Sequence, residues 1–284
     1  MTLPTRYPRA WEWPGKAKIA ISVNLAFEAF INRSQYSQGA AKNEKDYFSL
    51  SFAEYGVRSG AWRIMELLDE LDLRGSMSTN GLAAETNPEI VRAFVEQGNE
   101  IVGHGWANDQ PANDAEPEGE LKMIQRCTAA LKDASGGIAP VGWTSPGSAG
   151  SRHTLGFLRG EGYLWNGDEA ADDLPYLRET KNGTMVIMPR TNMLHNDLAI
   201  WLSPKNPPSV LWEGFKDSFD TLYAEGRRGS PKWTEITFHC HIGGRPTLIP
   251  TLRKCLQYAK GHDGVWFALK RDIAKWALQR EGKA

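Results

Sequence analysis

No stretch of this sequence is apolar for long enough to cross a bilayer, and its N-terminus, MTLPTRYPRAWEWPGK, lacks the apolar core of a secretory signal. Cysteine is scarce. Cys127, Cys240 and Cys255 are odd in number and widely spaced, which argues against a disulfide framework or a zinc ribbon and favours a reducing compartment. Neither charge dominates: 33 basic and 34 acidic residues leave a net charge of −1, with no long run of one sign. Nothing here attracts a polyanion, so nucleic acid is set aside as a partner, as is the membrane. A cytoplasmic protein acting on a small molecule is the expectation.

What is present suits a large α/β chain. The 284 residues are 41% hydrophobic, and an α/β barrel of this length forms one domain. There is no linker and no internal repeat, so residues 1–284 are expected to form a single domain. KIAISVNLAF (18–27) reads as a buried strand. SGAWRIMELLDELDLRG (59–75) reads as a helix with Trp62, Met65, Leu68 and Leu71 on one face, Ser59 as N-cap and Gly75 as stop. SMSTNGLAAE follows as a short strand and loop. A helix from Asn87-Pro88 to about Gln97 then leads into the strand EIVGH. EGELKMIQRCTAALKDASGG (118–137) is another amphipathic helix. SPKNPPS (203–209) reads as a loop, a lid or an oligomer contact. Strand, polar loop, helix, glycine, next strand: the order repeats, and it marks βα units around a parallel sheet or barrel. In such folds the chemistry sits at the carboxyl ends of the strands.

The polar residues fall at those ends. ITFHCHIGGRP (236–246) carries His239 and His241. On a continuous strand the two share a face, where a pair of imidazoles binds a metal or moves protons near neutral pH. GHGWAND (103–109) places His104 just after a strand, between glycines. NLAFEAF places Glu28 beside Phe27 and Phe30, where desolvation is expected to raise its pKa and suit a general acid or base. Of Asp168, Glu169, Asp172 and Asp173 in WNGDEAADDLPY, at least two are expected to be solvated loop residues.

These clusters, in this order, resemble the polysaccharide deacetylase (NodB-like, carbohydrate esterase 4) superfamily. The likeness is closest to its branch of peptidoglycan-deacetylase-like proteins, metal-independent allantoinases and cyclic imide hydrolases. It is carried by FAEYGVRSGAWRIMELLDE (52–70), GNEIVGHGW (98–106), DDLPY (172–176), MPRTNMLHND (188–197) and HCHIGGRP (239–246). The resemblance implies an α/β fold, a deformed parallel (β/α) barrel commonly of seven strands, that hydrolyses a C–N bond in an amide, imide or ureide. It also suggests a homo-oligomer, a tetramer in many relatives. Metal-dependent members end the first strand in two adjacent aspartates; by the run SVNLAF, Ala26 and Phe27 stand there. The first family histidine matches His104, the second falls on Asn108, the base-orienting arginine falls at Trp143 or Thr144, and the fourth-motif aspartate falls near Asn166.

A metal-free hydrolase opening a small cyclic imide or ureide is therefore the expected activity, since an imide nitrogen leaves more readily than that of a sugar acetamide and needs no Lewis acid. Glu28 or one of His239 and His241 would be the base, and His104 would orient or protonate the leaving nitrogen. Phe27 and Trp143 would sandwich a flat ring. Asn80, Asn108 and Asn166 would bind its carbonyls, with Trp106 alongside, in a small neutral pocket. No cofactor is expected. Two alternatives stay open: an amide hydrolase with Zn²⁺ held by Glu28, His104 and one of the histidine pair, and a non-enzymatic binding protein that keeps the barrel.

Overall fold

The computed structural model describes residues 11–37, 44–112, 114–192, 195–202 and 205–283. Its elements run β1 (Ile19–Phe27), α1 (Tyr47–Tyr55), α2 (Ala61–Glu70), β2 (Gly75–Thr79), α3 (Gly81–Thr86), α4 (Pro88–Glu96), β3 (Glu100–Gly103), α5 (Pro117–Ala134), β4 (Gly142–Trp143), α6 (Thr154–Gly160), β5 (Trp165–Asn166), β6 (Tyr176–Thr180), β7 (Gly183–Ile187), α7 (Pro208–Arg227), β8 (Lys232–His239), α8 (Ile249–Lys260), β9 (Val265–Phe267) and α9 (Lys270–Arg280). The strands form one sheet in the order β6-β7-β5-β4-β3-β2-β1-β8, with β9 also paired to β1. All pairs are parallel except the β6–β7 hairpin. This is the expected deformed barrel, with β6 and β9 added to the core strands. Among the described residues the edge strands are β6 and β8, and Asn196 bridges to Thr237 along the outer edge of β8.

Register lines up the strand ends. Phe27 pairs with Thr79, Thr79 with Gly103, Gly103 with Trp143, Trp143 with Asn166 and Asn166 with Ile187. Ala26 pairs with His239 on the other side. The next residue of each chain segment stands on one rim: Glu28, Asn80, His104, Thr144 and Gly167. β1 and β8 are buried along their whole lengths, as a strand covered on both faces requires.

The long N-terminal helix begins earlier than Ser59. Asp46 caps it at Ser49 N (3.0 Å), and Ser59 lies inside a wide turn, Gly56–Gly60, that joins α1 to α2. α2 buries Ile64, Leu67 and Leu68 and leaves Trp62 42% exposed, so Trp62 is not on the core face. A helix, α3, replaces the expected loop after β2. Of the 203–209 segment, 203 and 204 lie outside the described residues, and Pro208 opens α7. No helix among the described residues is long and apolar enough to cross a membrane.

Candidate active site

A chamber of about 450 Å³ opens at the carboxyl rim. Glu28 follows β1 directly, and its buried carboxylate is the centre of the site. Its Oε1 lies 3.4 Å from His104 Nε2 and 3.7 Å from His239 Nε2. Its Oε2 accepts from Gln35 Nε2 at 2.7 Å. His104 follows β3, and its Nδ1 donates to the Thr144 carbonyl at 2.6 Å, so Nε2 is the atom turned to the carboxylate. His239 ends β8, and its Nδ1 sits 2.6 Å from Asp197 Oδ1. Asp197 also accepts from the His239 and Leu198 amides. A carboxylate on one imidazole nitrogen fixes which nitrogen faces the reaction and stabilises the charged ring.

Burial and charge compete here. Burial alone would raise the Glu28 pKa, but the His239, His104 and His241 imidazoles bring it down to about 2. The apolar surroundings do not give the raised value expected from Phe27 and Phe30; the facing imidazoles outweigh burial. For His239 burial pushes down, and the carboxylates of Asp197 and Glu28 outweigh it and hold its pKa above the ordinary value. The pair thus sets a carboxylate against an imidazole whose protonated form its carboxylate neighbours favour, a base and an acid side by side.

His241 is one step removed. β8 stops at His239, and the amides of Ile242 and Gly243 both turn back to the His239 carbonyl. The expected continuous strand through Cys240 does not form, and the rings of His239 and His241 meet edge to face at 6.0 Å. Burial holds the His241 pKa down at about 4. Its Nε2 lies 3.1 Å from Gln35 Oε1; a neutral His241 donating there orients the Gln35 amide to donate onward to Glu28. The turn needs glycine. A Cβ on Gly60 would overlap the Cys240 carbonyl, and one on Gly244 would strike Gly60. Arg245 secures the turn through the carbonyls of His241 (2.9 Å) and Phe52 (3.1 Å) and by stacking on Phe52 and Tyr55.

Of the other expected residues, Asn108 lines the chamber, and the rest serve the frame. Phe27 and Trp143 are each 1% exposed and sit in the core. Trp143 covers Gly103 and meets Tyr163 edge to face. The ring sandwich is therefore absent, and the described lining residues include no tryptophan, phenylalanine or tyrosine. Asn80 ties Ala29 N (3.0 Å) to the His104 carbonyl. Trp106 lies under the Arg126 guanidinium, 3.3 Å from its centre. Asn166 holds Asp168, whose carboxylate is taken by Ser145 N (2.6 Å) and Ser145 Oγ (2.7 Å). In the acidic run, Glu169 pairs with Arg178, and Asp172 accepts from Leu174 N. Ala26 does line the chamber, so the acidic group that the first strand supplies is Glu28.

Sequence reasoning missed Gln35, Asp197, Arg190, Glu235 and Lys270. The last three line the chamber, which is not the neutral pocket expected. Lys270 is buried, 2.5 Å from Glu235 Oε2 and 3.3 Å from Asn24 Oδ1. Two buried amide oxygens of the chamber, Asn108 Oδ1 and Asn192 Oδ1, have no hydrogen-bond partner among the described residues. Among the described residues no three His, Cys, Asp or Glu side chains are grouped to hold a metal ion.

Residues 40–163 match the polysaccharide deacetylase family model. A putative polysaccharide deacetylase of Schizosaccharomyces pombe is 30% identical, over 96% of this chain and 94% of the relative. Among solved structures, a probable polysaccharide deacetylase of Pseudomonas aeruginosa PAO1 superposes with a TM-score of 0.84 at 29% identity, over 99% of this chain and 96% of the other. The Puue allantoinase superposes with a TM-score of 0.85 at 29% identity, over 99% and 95%. By sequence and by fold alike, this chain belongs to the polysaccharide deacetylase family.

Proposed function

We propose that this protein is a C–N hydrolase that opens a small cyclic imide or ureide without a metal. The observation that carries the reading is the Glu28 carboxylate between two imidazole Nε2 atoms, at 3.4 and 3.7 Å, inside the chamber. Glu28 takes a proton from water as the oxygen attacks the ring carbonyl. His239 gives its Nε2 proton to the departing nitrogen as the C–N bond breaks. The proton then held on Glu28 returns to His239 across 3.7 Å, and the net reaction is addition of one water. His104 holds the carboxylate in line, and Asp197 supports the charged His239.

Three features support a ring-opening substrate. The likeness to an allantoinase runs along the whole chain. The unpartnered Asn108 and Asn192 acceptors suit a ligand rich in N–H groups. The carboxylate between two imidazoles supplies a base and an acid, which suits an activated amide better than a sugar acetamide.

The test is ring opening of succinimide, maleimide, dihydrouracil, hydantoin and allantoin, before and after exhaustive chelation. Turnover that survives chelation is the expected result. Turnover that vanishes and returns with Zn²⁺ would contradict the metal-free route, and no turnover of any ring would contradict the activity.

A further inference from the structure

The charge of the chamber is not fully settled within it. Glu28, His104, Arg190, Glu235, His239 and Lys270 are the ionisable groups among the described lining residues. Glu235 and Lys270 neutralise each other, and Glu28 faces the two histidines. Arg190 is different. It is half-buried, and its guanidinium donates to a neutral group, the Ser148 hydroxyl. The carboxylates of the neighbouring loops are engaged elsewhere: Asp168 by Ser145 and Asn166, Glu169 by Arg178 and Tyr176. Ser148 is held at φ +56°, a costly conformation for a residue other than glycine and one that clusters at ligand clamps. Two residues beyond Arg190, the buried Asn192 donates to Thr237 Oγ1 while its own Oδ1 is unpartnered.

We infer that the chamber takes a substrate bearing a carboxylate, its anion paired with Arg190 and Ser148 and an N–H accepted by Asn192. This rests on reading the chamber as a C–N hydrolase site and adds the class of substrate. A guanidinium presents several donors in a planar fork that matches a carboxylate. A neutral ring would leave those donors without an ionic partner.

Binding separates this from the reaction itself. Calorimetric titration with 2-pyrrolidone and with 2-pyrrolidone-5-carboxylate compares two lactams that differ by one carboxylate. The wild type is expected to bind the acid at least about tenfold tighter, the gain of one charged hydrogen-bonded pair. Arg190→Met should abolish the difference, and Arg190→Lys should keep part of it. Equal affinity, no binding of either lactam, or a preference that survives Arg190→Met would overturn the inference. The comparison within the wild type decides the matter even if a variant fails to fold. Inorganic phosphate serves as a competitor; if it displaces the acid more tightly than acetate does, the site is a phosphate site and the carboxylate assignment falls. Carboxylate binding through Arg190 with no ring opened would refute the reaction and leave the anion site standing.

Discussion

Asp197 holds the Nδ1 of His239 at 2.6 Å, and this contact decides which nitrogen of the ring meets Glu28. The two residues belong to segments that meet at an edge of the sheet, where Asn196 bridges to Thr237. Replacing Asp197 with Asn keeps the shape and removes the charge. kcat should fall by about 10²–10⁴, the range for losing the group that orients and charges a catalytic histidine. A pH profile measured alongside should show the alkaline limb moved to lower pH, because the His239 pKa is no longer held up.

The activity should also have an asymmetric pH dependence in the unaltered protein. Glu28 is ionised at any pH well above 2, and His239 is protonated below a pKa raised from 6.5. Turnover is then flat above about pH 4 and falls as pH rises through the raised His239 value. A bell centred below pH 5 would contradict the assignment of base and acid.

Gln35 couples His241 to Glu28. Gln35→Glu places a second carboxylate against the first, and like charges oppose ionisation of both. The acid limb of the kcat profile should rise by at least about one pH unit, with KM changed little. An unmoved acid limb would mean that Gln35 does not touch the working carboxylate.

Stability should depend on pH through different histidines. Burial lowers both His195 and His241 to about 4, so between pH 6.5 and 4 the unfolded chain binds more protons than the folded one and stability falls as pH falls. The depressed Glu28 acts the same way, but its contribution is present above 4.5 and fades only towards 2. The raised His239 stabilises below 6.5 and loses that effect as pH rises through its folded value. Thermal midpoints from pH 4 to 7 should therefore climb with pH, and His195→Gln should flatten the climb.

Lys270 and Glu235 form an ion pair with each side chain no more than 3% exposed. Removing one partner strands the other charge, which costs about 3–5 kcal/mol, whereas removing both costs much less. Denaturant titration of Lys270→Met should show the first loss, and Lys270→Met with Glu235→Leu should recover most of it.

The rim itself was legible from the residues. An apolar run followed by Glu28, by His104 or by His239 places the group at a parallel strand's end, and register brought all three together as expected. Other parts of the site depend on long-range geometry. Asp197 reaches His239 only because its segment lies along β8, and Gln35 sits in a loop with no periodicity to read. The available signal was a carboxylate beside Asn196 within the MPRTNMLHND stretch. The glycines around His104 suggested a site, yet Gly103 is bare because Trp143 packs on it. That packing also turned Trp143 away from the chamber. Alternation along a strand reveals two faces and leaves open which one meets solvent.

The most direct test of the central claim is the ring-opening rate of chelator-treated protein, wild type against Glu28→Gln, with folding checked by thermal melt. Loss of the base predicts a fall of about 10²–10⁴ in kcat with the fold intact. Rates within about threefold of each other would contradict Glu28 as the base and with it the proposed chemistry.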